Sequence, residues 1–252
     1  PRLCVVELDY PEEHYMDLKQ LNSVSPLRVF ENSINGGLGK GNLGVIVSKK
    51  GVGKTACLVH IATDKLFKGE HVIHVSFSGN VEHVINWYKE VYREIVENNS
   101  LDDANEVYEQ ILSNRVVMNF SQEQVSIEKV LSSLEALISH GAFSADAVLF
   151  DGFKLTIASE DDIAKIKEFA KKMNIEVWFA VSPVRPDVVF DEYGVPNTLE
   201  KYFPLIDVLV ALKFDDKADK VNMTVVRAHG ENVPKPAKVA LNPKTMLIAE
   251  HN

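Results

Sequence analysis

Residues 43–55, LGVIVSKKGVGKT, constrain the chain more tightly than any other stretch. Leu43 to Val47 is an apolar run of strand length. Gly51 and Gly53 break it into a loop. Lys54 and Thr55 then open a segment whose apolar residues, Ala56, Cys57, Leu58, Ile61 and Ala62, recur with helical spacing. Strand, glycine loop, Gly-Lys-Thr and helix form the order of a phosphate-binding P-loop. Glycines let the backbone turn tightly and approach an anion, and free N–H groups at the helix start point at a phosphate. Lys54 supplies positive charge for β- and γ-phosphates, and Thr55 supplies a hydroxyl for Mg²⁺. Ser48 stands where the usual pattern has a glycine, and serine fits there if its φ stays negative. The expected cofactor-binding set is Ser48, Lys49, Lys50, Gly51, Val52, Gly53, Lys54, Thr55 and Ala56.

At 252 residues, 46% hydrophobic and 25% charged, the chain is long enough for one large α/β domain with a real core. Its net charge of -9 argues against strong sequence-independent nucleic-acid binding. The two cysteines, Cys4 and Cys57, lack metal-site spacing and read as reduced thiols of a cytoplasmic protein. No signal peptide, transmembrane run or lipidation motif is visible, so no membrane association is expected.

Along the chain, residues 1–24 read as a lead-in, with a short strand over Leu3–Leu8 and a weak helix over Pro11–Leu21. Residues 25–252 read as the domain. Ser33 to Asn42 is a glycine-rich approach suited to a hairpin or tight turn. Strands are expected at His71–Phe77, Arg115–Phe120, Ala145–Asp151, Ile175–Val181 and Ile206–Leu212. Helices are expected over 81–97, Leu101–Ser113, 125–138 and after Ser159, whose pairing with Asp162 is a capping box. Residues 183–204 carry four prolines and read as a long loop with a short helix near Thr198–Tyr202. Val221–His229, Ala237–Leu241 and Thr245–Ala249 read as an antiparallel meander. The stretch ADAVLFD is apolar and ends in an acid, the pattern of a Walker B strand. Asp151 would then hold Mg²⁺, directly or through water, at the carboxyl edge of a parallel sheet. The expected fold is a three-layer α/β P-loop NTPase fold with a mainly parallel central sheet and a C-terminal antiparallel extension.

The segments SINGGLGKGNLGVIVSKKGVGKT, HVSFS, AVLFDGF and VVRAHGE, in that order, resemble the RecA-like ATPases and, within them, the KaiC-like branch. The resemblance spans roughly residues 25–249. It implies binding of ATP or ADP with Mg²⁺, and homo-oligomers (ring, filament or dimer) with nucleotide at subunit boundaries. Such proteins carry a water-activating glutamate just after the second strand. The matching positions here are Ser78 and Gly79, and neither can act as a base. Glu82 is the nearest carboxylate, usable as a base only if the turn were remodelled. Loss of a general base costs about 10²–10⁴-fold, so binding is better supported than hydrolysis. Ser182 matches a polar sensor position, or is simply the turn residue before Pro183. Arg227 and His229 alternate on one strand and so would share a face. The family places Lys-x-Arg there, reaching a neighbour's γ-phosphate, a role Arg227 would take in trans. The alternative is an exposed basic pair, and His229 would charge with pH. Lys49 also resembles the signature lysine of the deviant P-loop in ParA and MinD ATPases, which reaches across a dimer. Lys50 departs from that pattern, and about forty residues precede the loop strand where those proteins have few.

The leading expectation is a weak Mg-dependent ATPase whose nucleotide state governs self-assembly or an unknown protein partner. Alternatives are a DNA-recombination or repair accessory ATPase, with salt-sensitive DNA binding, and a scaffold that holds nucleotide without turnover. No Asn-Lys-x-Asp guanine motif occurs, which favours ATP.

Overall fold

The computed structural model describes residues 17–78, 80–101, 103–121, 125–140, 143–185 and 187–250. The strand expected at Leu3–Leu8, the first part of the helix expected from Pro11, and the positions Cys4 and Gly79 lie outside the described residues.

Six strands run parallel: β1 (Leu43–Val47), β2 (Val72–Ser76), β3 (Arg115–Asn119), β4 (Ala147–Asp151), β5 (Glu176–Val181) and β6 (Val208–Asp215). Three more, β7 (Lys220–Ala228), β8 (Glu231–Leu241) and β9 (Ile248–Glu250), add antiparallel to one side. The strand order is β3-β2-β4-β5-β1-β6-β7-β8-β9. All five residues of β1 are buried, as expected of a strand covered on both faces.

Helices cover both faces. Towards one lie α1 (Leu18–Val24), α2 (Pro26–Ser33), α3 (Lys54–Phe67), α4 (Val81–Asn99) and α5 (Ala104–Ser113). Their core includes Leu21, Phe30, Leu58, Tyr88 and Trp178. Towards the other lie α6 (Ile127–His140) and α7 (Glu160–Met173), with Phe150, Phe169, Phe179 and Tyr202. The result is a three-layer α/β molecule with a mixed, mostly parallel nine-stranded sheet. Gly44 of β1 makes room for a large neighbour, since a Cβ there would lie 2.4 Å from the Trp178 ring. No helix among the described residues is long and apolar enough to cross a membrane.

Three local features differ from or narrow the sequence expectation. Two helices occupy 18–33 where one weak helix was expected to end at Leu21. Ser25 caps α2, with Pro26 in its first turn, a start that proline's fixed φ favours. Of the two forms expected of the glycine-rich segment, hairpin or tight turn, it takes the turn, directly after a helix. Gly36 and Gly37 donate to Glu31 O, and Gly41 donates to Ile175 O at 2.8 Å. Third, β8 begins at Glu231, six residues before the expected strand. Register shifts in the β7–β8 pairing accommodate Pro234 and Pro236 within the strand. The capping box at Ser159 and Asp162 forms as expected.

At the amino edge of the parallel strands, charges are paired. Asp207 Oδ2 accepts the Leu43 N–H at 2.7 Å and pairs with Lys167. Asp146 accepts the His71 N–H at 2.9 Å and pairs with Lys40 at 2.8 Å. Lys65 bridges Glu176 at 2.9 Å and Glu70 at 3.0 Å.

Candidate functional site

The carboxyl edge is built differently. β1 gives way to the glycine loop at Ser48, whose N–H donates to Val181 O at 3.2 Å, tying the loop to β5. Ser48 is not among the positive-φ residues, so serine is tolerated where a glycine was expected. Gly51 (φ +86) and Gly53 (φ +106) do lie in the left-handed region. Gly53 is also packed tightly, as a Cβ would lie 2.4 Å from Leu241 Cδ2 of β8. Gly53 is the N-cap of α3 and offers no side-chain cap. The Cys57 N–H donates to Gly53 O at 2.9 Å. The N–H groups of Lys54, Thr55 and Ala56 come before that bond and have no partner within the helix.

Lys54 is 9% exposed. Its Nζ donates to Ser48 Oγ at 3.0 Å and Lys49 O at 2.8 Å, and it has no ion-pair partner among the described residues. Burial lowers its pKa to about 8, partly opposed by the charge of Asp151. Register places Asp151 opposite Ala180 of β5 and Ser76 of β2. Asp151 Oδ1 accepts from Thr55 Oγ1 at 3.2 Å. Burial raises the Asp151 pKa, opposed by that hydrogen bond and by the charges of Lys54 and His83. A hydroxyl and a carboxylate side by side are hard oxygen donors that suit Mg²⁺, which takes few protein ligands and fills the rest with phosphate and water. No group of three or more His, Cys, Asp or Glu able to hold a metal occurs among the described residues.

The other candidate residues scatter. Ser78 donates to Asn80 O at 3.0 Å and shares a 2.8 Å hydrogen bond with Ser76. Asn80 caps α4 by accepting the Glu82 N–H, and the Glu82 side chain is exposed. On α4, exposed His83 accepts at Nε2 from Trp87 Nε1 at 3.1 Å. The sequence reading passed over His83. Its signal was the i,i+4 spacing to Trp87 on a helix entering at the sheet edge. Ser182, partly buried, follows β5 directly beside the start of the loop. Lys50 is exposed, and Val52 packs against the core. Lys49 Nζ lies 5.4 Å from the centroid of Phe190.

Arg227 and His229 do not share a strand face, contrary to expectation. Arg227 donates to Ile206 O and Asn232 Oδ1, over the Phe203 ring, beside the core that α6 and α7 cover. His229 Nε2 donates to Ile34 O at 3.1 Å and Gly37 O at 3.0 Å, against the end of α2. The two-residue alternation fails because the register shifts at Val225/Arg227 and the strand ends at Ala228. His229 then turns at φ +47.

Two cavities differ in their relation to the site. One of about 300 Å³ adjoins the loop through Lys49 and Val52. Another, of about 420 Å³, is lined by parts of α1, α3 and α4 and by β9, and no glycine-loop residue lines it. Compared with known proteins, the chain matches no protein-family model and no curated protein sequence. Function is therefore read from the site itself.

Proposed function

We propose that the chain is a nucleotide-binding P-loop protein of RecA-like, KaiC-like type, which binds ATP or ADP with Mg²⁺ and hydrolyses ATP slowly. The observation that carries this reading is the buried, unpaired Lys54 ammonium at the uncapped start of α3, next to the Thr55–Asp151 pair. A buried cation without a carboxylate partner is costly. An anion placed between it and the free N–H groups of the helix start would satisfy all of them at once. Mg²⁺ bound through Thr55 and Asp151 would neutralise phosphate charge. Lys54 would leave Ser48 Oγ and Lys49 O for phosphate oxygens, and Asp151, relieved by the metal, would stay ionised.

Slow turnover follows from the end of β2. Ser78 is engaged with Ser76 and Asn80, and Glu82 is exposed at the helix surface, so among the described residues at this turn no carboxylate stands ready to orient water. The nucleotide state would then act through assembly or a protein partner. The test is titration of the purified protein with Mg·ADP and Mg·ATP, beside Lys54→Ala, followed by single-turnover hydrolysis. Binding lost in the variant is the expected result. No binding by the wild type, or equal binding by the variant, overturns the proposal.

A further inference from the structure

The cavity of about 300 Å³ beside the glycine loop is walled by two phenylalanines from different parts of the chain. Phe214 stands on β6 beyond the last residue of β1 and is 41% exposed. Phe190 comes from the long loop between β5 and β6. That loop is not loose here. Phe190 and Pro196 form an antiparallel bridge, Asp191 N–H donates to Val195 O at 2.9 Å, and Asn197 N–H donates to Val189 O at 3.0 Å. Asp191 Oδ1 accepts the N–H groups of Tyr193 and Val195 at 2.9 and 2.8 Å. Val195 and Leu199 then anchor the loop in the core. Two of the residues lining the cavity, Lys49 and Val52, belong to the glycine loop itself.

We propose that this cavity seats the base of the bound nucleotide, and that the base is one carrying an exocyclic amine. The assignment rests on reading residues 48–55 as the phosphate cradle. An exposed aromatic ring beside a phosphate site offers a stacking surface for a base. Asp191 Oδ1 is occupied by its own loop, while Oδ2 is an acceptor without a partner among the described residues. A carboxylate oxygen accepts hydrogen bonds and cannot donate them. It therefore favours an edge that donates, such as the amino group of adenine or guanine, over the carbonyl of hypoxanthine or uracil.

Lys49 couples the two halves of the site. Its ammonium lies over the Phe190 ring, a weak attraction at an exposed position. A phosphate at the loop competes for that cation. Once Lys49 turns to phosphate, the face of Phe190 is free for the base, so phosphate and base bind cooperatively.

The experiment compares ADP, IDP and inorganic triphosphate, each with Mg²⁺, by calorimetric titration of wild type, Phe190→Ala, Phe214→Ala, Asp191→Asn and Lys54→Ala. Each phenylalanine variant is expected to weaken ADP roughly 5- to 100-fold; Phe214→Ala should leave inorganic triphosphate unchanged, and Phe190→Ala, which releases Lys49, should hold or strengthen it, which also shows that each variant is folded. Asp191→Asn keeps the loop's acceptor at Oδ1 and is expected to narrow the preference for ADP over IDP. If both phenylalanine variants bind ADP like the wild type while Lys54→Ala loses ADP and triphosphate, the base seat is wrong and the phosphate reading stands. If wild type binds triphosphate but binds ADP no better, the base seat is also wrong. If wild type binds neither, both fall.

Discussion

At the amino edge of the parallel sheet, Asp207 takes the Leu43 N–H and the Lys167 ammonium, and Asp146 takes the His71 N–H and the Lys40 ammonium. At the other end of the same strands, Lys54 is buried with a hydroxyl and a carbonyl as its hydrogen-bond partners, and Asp151 takes the Thr55 hydroxyl and the Gly152 N–H but no cation within ion-pair distance among the described residues. The first edge closes the strand starts and satisfies nearly every group it buries. The second leaves a cation, a carboxylate and a helix start incompletely satisfied within a few ångströms. One edge carries stability and the other holds binding capacity in reserve, at a cost to stability.

Lys54→Met should break the contrast most sharply. Two charge-assisted hydrogen bonds to phosphate are worth about 1.5–3 kcal/mol each. Nucleotide affinity should therefore fall about 100-fold or more. The melting temperature should hold or rise, because a buried unpaired charge is gone, and a fall of several degrees in calorimetry would contradict that account of Lys54. Asp207→Ala should do the reverse. With Lys167 and the Leu43 N–H left without their acceptor, urea unfolding should show a loss of about 2–4 kcal/mol, with little change in nucleotide affinity for the folded protein.

A pH series sharpens the same comparison. The Lys54 pKa is about 8 in the folded chain against an ordinary value of 10.5, so between those values the unfolded chain binds more protons. Stability should thus rise with pH across that window relative to Lys54→Met, by up to about 1.4 kcal/mol per pH unit. Nucleotide affinity should fall as pH climbs through about 8, since the free site loses its cation. Parallel stability curves for the two proteins would remove the burial cost assigned to Lys54. The smallest effects should come from the glycines. Gly44→Ala drives a Cβ into Trp178 and Gly53→Ala drives one into Leu241, each costing about 1–3 kcal/mol. Only the second, at φ +106 and on the loop, should also weaken nucleotide binding. Equal loss of affinity in both would mean that the loop is not distinct from the core behind it.

Much of this was legible in the sequence. The strand–loop–helix unit follows from local signals, because glycine spacing and apolar periodicity act over a few residues. Asp151 was placed at the carboxyl edge by assuming a parallel sheet, and the sheet is parallel there. What local pattern could not give was the direction of side chains where the backbone departs from its period. A bulge and one left-handed residue send Arg227 and His229 to different neighbours. The start of α2 was readable from Ser25 and Pro26, with Leu27, Phe30 and Ile34 as its apolar face. The glycines that follow drew attention away from it.

The position of β1 between β5 and β6 sets a timetable for synthesis. Thr55 leaves the ribosome 96 residues ahead of its partner Asp151, and Leu43 leaves it 164 residues ahead of Asp207. At about 5–20 residues per second, the central strand waits roughly ten to thirty seconds for its second edge. Until β5 and then β6 arrive, an apolar strand and its lysine-bearing loop lack their strand neighbours. A nascent chain of this kind is a natural client for chaperones that hold exposed strands, and ribosome-stalled chains ending before and after β6 would reveal when that dependence ends.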